Sequence, residues 1–375
     1  MSSSPAEAAH TNPTRRQRLL TVLETVPDPR KARGRRYPLA GVLALAVTAT
    51  IAGARSFAAI GQWAAETTAE HLASFGLTGT AAPDESTLRK LFARLDAAAF
   101  DTALGLWMWT RTWVADGRRV IALDGKTVRS ARTRPDGKAP HLIAAFDHGV
   151  GAVLGQVCVD AKSNEIPAAR TLLRILDLEG VTVTLDAMHT QTDTATLITE
   201  AGGDYVFTVK ANMPTLHRKL KTLPWKDMPA TREVTTGRGR RVTRTITVAD
   251  VPDWIEFPGA SQVAQLRRTV TGRNRKKTVE VVYLITSAPH QTAPPETLAA
   301  WVQGHWSIEN RLHWVRDVTF GEDYSQVRTG QAPRVMATCR NIAVSLLRIA
   351  GWDNIAAGLR HHARHPDHAV ALALT

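Results

Sequence analysis

Between His305 and Arg328 the chain reads HWSIENRLHWVRDVTFGEDYSQVR, with aromatic, acidic and basic residues at helical spacing around one carboxylate, Glu309. Two more carboxylates stand upstream at the ends of predicted strands, Asp124 in VIALDGKTV and Asp186 in VTVTLDAMHTQ. Three carboxylates from two strands and a late helix suggest a divalent-metal site acting on phosphodiesters. Cutting or joining such a bond needs an activated water or hydroxyl and a stabilised leaving oxygen. Two Mg²⁺ ions about 3.5–4 Å apart supply both when carboxylates clamp them. Mg²⁺ prefers oxygen ligands and keeps several waters, so three protein carboxylates suffice. Spacing alone does not select this triple among 34 acidic residues, and an aspartate ending a strand is also an ordinary turn or cap residue. The fold must therefore bring the three together.

The pattern predicts how. Residues 15–116 read as helical, a candidate DNA-binding domain, after a polar, disordered tail at 1–14. Within it Leu39 to Ala54 makes one buried helix, Ser56 caps the next, and RKARGRRYP forms a basic loop between helices. At Arg118 the texture changes to strands. The order becomes three strands in a meander, helix, strand, helix, strand, a ribonuclease-H-like α/β core over 117–212. In that order the first and fourth strands are neighbours, so Asp124 and Asp186 emerge at one sheet edge. Residues 213–290 alternate β-branched residues with arginines, predicting an inserted β-rich subdomain with one basic face. Helices of the core return over 291–351, where one carrying Glu309 can cross the edge. Residues 352–375 read as a C-terminal tail.

Charge indicates the partner. The net charge is +13 with a pI near 10.2, and the excess is clustered. From Arg15 to Arg36 eight basic residues face two acidic ones, and from Thr231 to Glu280 eleven face five. Two basic segments fit polyanion contact better than a uniformly charged skin does, although a GC-rich genome also enriches arginine. Arg33, Arg35 and Arg36, then Arg238, Arg240, Arg241, Arg273, Arg275, Lys276 and Lys277, are the expected contacts to DNA backbone, giving salt-dependent affinity without base readout. Lys210 ends a strand and is placed for a phosphate; Trp306 and Trp314 are candidates to stack on unpaired bases; His189 and Gln191 follow Asp186 closely enough to orient DNA or water. Each has a plainer reading as a solvated lysine, core packing or a turn residue. Cys158 and Cys339 are too few for a disulfide framework and form no metal-type CxxC pair. The longest apolar run falls short of a membrane span, so a cytoplasmic, nucleoid-associated protein is expected.

Taken together, ALDGKTVRS, TLDAMHTQ, DYVFTVKAN and HWSIENRLHWVRDVTFGED resemble the DDE transposases of bacterial insertion sequences, in the branch that includes the H-repeat-associated proteins. The stretch from Leu19 to Ala64 resembles that branch's associated helical domain, and the likeness continues to about Gly351. It implies that Asp124, Asp186 and Glu309 hold two Mg²⁺ ions, with Mn²⁺ able to substitute. It also implies that the protein binds terminal inverted repeats of its element, cleaves the ends and transfers them to target DNA as a homodimer. The wider family carries tyrosine, arginine, glutamate and lysine around its glutamate. Here the matching positions hold Val302, His305, Glu309 and Arg316, with His305 and Arg316 still able to meet phosphate. Glu322 and Asp323 compete for the third carboxylate but follow a glycine that ends the helix.

Two other readings use the same residues. A transposase-derived DNA-binding protein with a dead site would keep the basic segments, and a nuclease of the same fold would cut without joining. A two-carboxylate glycosidase leaves both basic segments without a purpose.

Overall fold

Leu39–Ile51 is the most apolar helix of the chain, and every one of its residues is buried. A helix apolar all round must be covered on all sides, and its covers come from both ends of the sequence. The computed structural model describes residues 18–78, 81–112, 117–133, 139–160, 164–237, 239–272 and 276–374. Its helical part comprises α1 (Leu19–Leu23), α2 (Leu39–Ile51), α3 (Phe57–Glu66), α4 (Ala69–Ser74), α5 (Glu85–Arg94) and α6 (Ala97–Arg111). Side-chain caps fix several starts. Ser56 Oγ accepts from Ala59 N at 3.2 Å and Asp84 Oδ1 from Thr87 N at 2.7 Å, satisfying amides that lack a partner in the first turn.

The sheet begins with β1 (Val120–Thr127), β2 (His141–Asp147) and β3 (Val153–Cys158). It continues through α7 (Glu165–Ile175), β4 (Thr182–Leu185), α8 (Thr192–Glu200) and β5 (Asp204–Val209). The first five strands lie in the order β3-β2-β1-β4-β5. β1 runs antiparallel to β2 and parallel to β4, and β4 runs parallel to β5. This is the ribonuclease-H-like arrangement expected from the meander. A helix absent from the sequence reading, α9 (Pro214–Lys221), then precedes β6 (Ala230–Gly237), β7 (Arg240–Asp250), β8 (Gln262–Thr271) and β9 (Lys277–Thr286).

These last four strands do not form a separate sheet. β9 pairs antiparallel with β5, from Val206 opposite Thr286 to Val209 opposite Tyr283, so one sheet of nine strands ends in β9-β8-β7-β6. Pairing with β5 satisfies backbone groups that would otherwise form an open edge. The register also sorts the basic residues of the extension. Arg232, Arg241, Arg267 and Lys277 project from one face, while Arg240, Arg244 and Arg268 share the other with Glu233 and Glu280.

The chain closes with α10 (Pro295–His305), α11 (Ala332–Ile349), α12 (Ile355–Arg364) and α13 (Pro366–Leu374). Residues 352–375 were expected as a tail, yet α12 and α13 occupy most of them and pack on α2. Ile355, Leu359, Ala369, Val370 and Ala373 are buried there, an amphipathic pattern too short to stand out next to a histidine-rich face. α11 also packs on α2 and α6, and residues of α1, α2, α6, α11, α12 and α13 share one apolar core with the sheet, while Leu298 and Val302 of α10 pack in a second cluster. Among the described residues no helix is long and apolar enough to cross a membrane.

Candidate active site

Parallel pairing places the two aspartates. Ala122 of β1 stands opposite Thr184 of β4; two residues further along each chain are Asp124 and Asp186. Side chains alternate along strands, so both carboxylates leave the same face at the same end of adjacent strands, about one strand spacing apart. Asp124 Oδ1 accepts the Gly125 amide at 2.8 Å, and Asp186 Oδ1 accepts the Met188 amide at 3.2 Å at the head of a short turn, Ala187–His189.

Glu309 comes from the segment after α10. There the backbone widens into π-type turns over Glu309–His313 and Val315–Thr319, a geometry frequent where a helix is bent to serve a site. His313, four residues on and buried, donates Nδ1–H to Glu309 Oε2 at 3.0 Å and lies 3.5 Å from Asp124 Oδ2. Ligand atoms of Asp124, Glu309 and His313 all lie within 4.8 Å of one another. Asp186 is not in that close group; it stands just past the end of the neighbouring strand, at the head of the Ala187–His189 turn. A further tie, Lys126 Nζ to Asp317 Oδ2 at 2.6 Å, pins the π-turned segment to β1.

Environment tunes these acids in opposite directions. Burial raises the Asp124 carboxyl above its ordinary value, against the pull of His313 and the Gly125 amide, with Asp186 and Glu165 adding repulsion. Glu309 is lowered, chiefly by the hydrogen bond from His313. The oxygen-rich set suits Mg²⁺ or Mn²⁺, and the imidazole is a donor that Mn²⁺ accepts more readily than Mg²⁺. His313 Nε2 is buried with no partner among the described residues.

Other expected residues divide clearly. Arg316 is fully buried, with its guanidinium on Glu322 Oε1 at 2.7 Å, while Arg340 Nη1 reaches Glu322 Oε2 at 2.9 Å. Arg316 therefore cannot meet a phosphate, and Glu322 is committed to an internal ion-pair triad. Asp323 faces Arg129 at 3.5 Å. His305 is also buried, its Nδ1 3.0 Å from Thr184 Oγ1; burial lowers its pKa to about 4, so it is a neutral packing group and not a phosphate ligand. His189 is buried, and Gln191 donates to Met188 O at 3.3 Å.

Trp306 and Trp314 are 60% and 53% exposed beside Glu309. Lys210, Arg33, Arg35, Arg36, Arg240, Arg241, Lys276 and Lys277 are exposed, with Arg35 3.4 Å from Asp28. Arg238, Arg273 and Arg275 lie outside the described residues. Between α10 and the strands β6–β8 runs a cleft lined in part by His148, Arg232, Arg244, Gln303 and Arg311.

The sequence reading missed two groups, His313 and Glu165. The four-residue step from Glu309 to His313 was visible in ENRLH. Glu165 stands in the first turn of α7, where an acid that only complements the helix dipole would look the same in sequence.

Comparison with known proteins decides the family. Residues 115–346 match the family described as transposase DDE domain, and residues 20–108 the one described as DDE_Tnp_1-associated. The chain belongs to the DDE transposase family. It is 33% identical over 348 residues to an Escherichia coli O157:H7 protein named "Putative transposase YncI", covering 88% of this chain and 87% of that one. The Escherichia coli K12 protein named "H repeat-associated putative transposase YhhI" is likewise 33% identical over 348 residues, covering 88% of this chain and 90% of its own. A solved piggyBac transposase synaptic complex with hairpin DNA aligns with 89% of this chain and 69% of that one at 10% identity. Its TM-score of 0.40 is too low to carry an argument.

Proposed function

We propose that this DDE transposase is catalytically competent, binding the ends of its element and carrying out metal-dependent DNA cleavage and strand transfer. The observation that carries the reading is the meeting of Asp124 and Asp186 at matching ends of adjacent parallel strands, with Glu309 drawn against Asp124 through His313. Asp124, Asp186 and Glu309 hold the divalent ions, Mg²⁺ or Mn²⁺. Bound there, the metal supplies activation of a water or 3′-hydroxyl and stabilisation of charge on the leaving oxygen. The chain's own contribution is positioning. Lys126 and Asp317 keep the Glu309 segment on β1, and His313 holds the Glu309 carboxylate toward Asp124. Trp306 and Trp314, exposed beside the site, offer stacking surfaces for bases displaced from the duplex.

DNA binding follows from charge. Arg33, Arg35 and Arg36 on the loop before α2 contact the ends, and Lys210, Arg240, Arg241, Lys276 and Lys277 add backbone contacts along the sheet extension, where Arg238, Arg273 and Arg275 also belong in sequence. Two ends must be joined in one event, so the working unit on DNA is a homodimer in the bacterial cytoplasm.

The test is cleavage of labelled DNA bearing the element's flanking ends, with Mg²⁺ or EDTA, for wild type and Glu309→Gln. Wild type should cut and join only with metal. Glu309→Gln should lose more than about a hundredfold in rate, beyond the 10–100-fold typical of groups outside the metal's own ligands. Wild type that binds ends but never cuts with any divalent ion would make the chain a DNA-binding relic. Hydrolysis without joining would make it a nuclease.

A further inference from the structure

A second carboxylate network lies against the candidate site from the other face of the sheet. Glu165, the first residue of α7, accepts Nε2–H of His141 on Oε1 at 2.6 Å and faces Nε2 of the buried His189 from Oε2 at 3.4 Å. His141 then accepts from Thr127 Oγ1 on Nδ1 at 2.7 Å. The chain of contacts thus runs from Thr127 of β1 through His141 of β2 and Glu165 of α7 to the turn that follows Asp186. It joins the strand bearing Asp124 to the turn headed by Asp186 without using either aspartate.

Gly125 shows how tight the joint is. A Cβ built on it would lie 2.7 Å from the Glu165 carboxylate carbon and 2.7 Å from His141 Nε2. The residue next to Asp124 therefore leaves open the space into which this pair fits. Gly125, Thr127 and His141 lie on one face of the sheet by register, opposite the face from which Asp124 leaves. Glu165 is consequently a brace behind the aspartates and not one of their number.

We infer that Glu165 is a positioning residue that sets the separation of Asp124 and Asp186 for a divalent ion, acting through His141, Thr127 and His189. The inference rests on the metal-site reading above. Releasing the brace lets the Asp186 turn and β1 move independently, so the ion loses affinity while the core stays folded.

Mn²⁺ binding to the full chain without DNA, read as the loss of the free-ion electron paramagnetic resonance signal, tests it alongside thermal unfolding without metal. Asp124→Asn should abolish tight binding. Glu165→Ala should weaken binding by about 10–100-fold, and Glu165→Gln, which keeps an acceptor for His141, should recover most of it at the same unfolding midpoint as Glu165→Ala. Wild-type affinity in Glu165→Ala with binding lost in Asp124→Asn overturns the brace and leaves the metal site standing. Wild-type affinity in Asp124→Asn removes the metal site itself. Should Glu165→Ala fail to fold, Thr127→Val cuts the same chain at its far end, and unchanged Mn²⁺ affinity there overturns the inference.

Discussion

Asp124 carries a burial cost that His313 and the Gly125 amide offset only in part. Burial raises its carboxyl, so the folded protein holds that proton more tightly than the unfolded chain does. For such a group stability falls as pH rises through the ordinary carboxylate range. Ionised Asp124 is thus a liability near neutral pH in metal-free protein, and Asp124→Asn should raise the metal-free unfolding midpoint. Adding Mg²⁺ should then stabilise wild type but leave Asp124→Asn where it was, by mass action on the folded state. A lower midpoint for Asp124→Asn without metal would contradict this account. Strand-end and helix positions made Asp124, Asp186 and Glu309 candidates, but the resemblance to the DDE transposases, and not their spacing, singled them out among 34 acidic residues. Arg316 and His305 were misread because a basic residue near Glu309 looks the same whether it meets a phosphate or a partner inside the protein. Only the fold shows that Glu322, six residues on, takes the Arg316 guanidinium.

That triad matters at the level of elements. Glu322 follows the π-turned segment carrying Arg316, and Arg340 lies on α11, so one fully buried carboxylate ties the candidate-site segment to that helix. Burial pushes Glu322 up, but the field of Arg316 and Arg340 overrides it and brings the pKa down to about 2. A depressed carboxyl contributes stability that is present above its ordinary value near 4.5 and lost as pH falls toward 2. Glu322→Gln leaves two buried guanidiniums uncompensated and should cost about 3–5 kcal/mol in denaturant unfolding. It should also flatten the acid limb of stability between those two pH values; an unchanged limb would mean other carboxylates govern it. The sheet gives the converse lesson. Alternation in β6–β9 identified strands and a basic character, but not that β9 would pair with β5, because period-two patterning fixes a face and says nothing about the neighbour. On the N-terminal side, the loop before α2 exposes Arg33, Arg35 and Arg36. Neutralising all three should lower affinity for DNA ends. The dependence of log affinity on log salt should become shallower by about one unit for each phosphate that is no longer neutralised. Cleavage at saturating protein should persist. Identical salt slopes would remove this loop from the interface.

At the scale of the molecule, the helical region and the sheet are two matches to family but one packed body. α2 is covered by α1, α11, α12 and α13, so the boundary near residue 116 separates sequence families without separating cores. A chain stopped after Gly351 loses the burial of Ile355, Leu359 and Val370, worth roughly 5–9 kcal/mol by area transfer. That is comparable to the whole stability of an ordinary domain, and the shortened protein should aggregate or lose cooperative unfolding. A soluble truncation that melts at the wild-type temperature would show that α12 and α13 are dispensable.

The packing of α13 against α1 and α2 also imposes a timetable. At roughly 5–20 residues per second, α2 waits on the order of half a minute between leaving the ribosome and meeting its last cover. Throughout that interval the side of α2 that α11, α12 and α13 will cover is open to other nascent chains, and the danger grows with the number of ribosomes on the message. The yield of finished protein should therefore rise less than in proportion to translation. For a protein of the proposed function, that shortfall damps the rise in DNA cutting that a surge of message would otherwise bring.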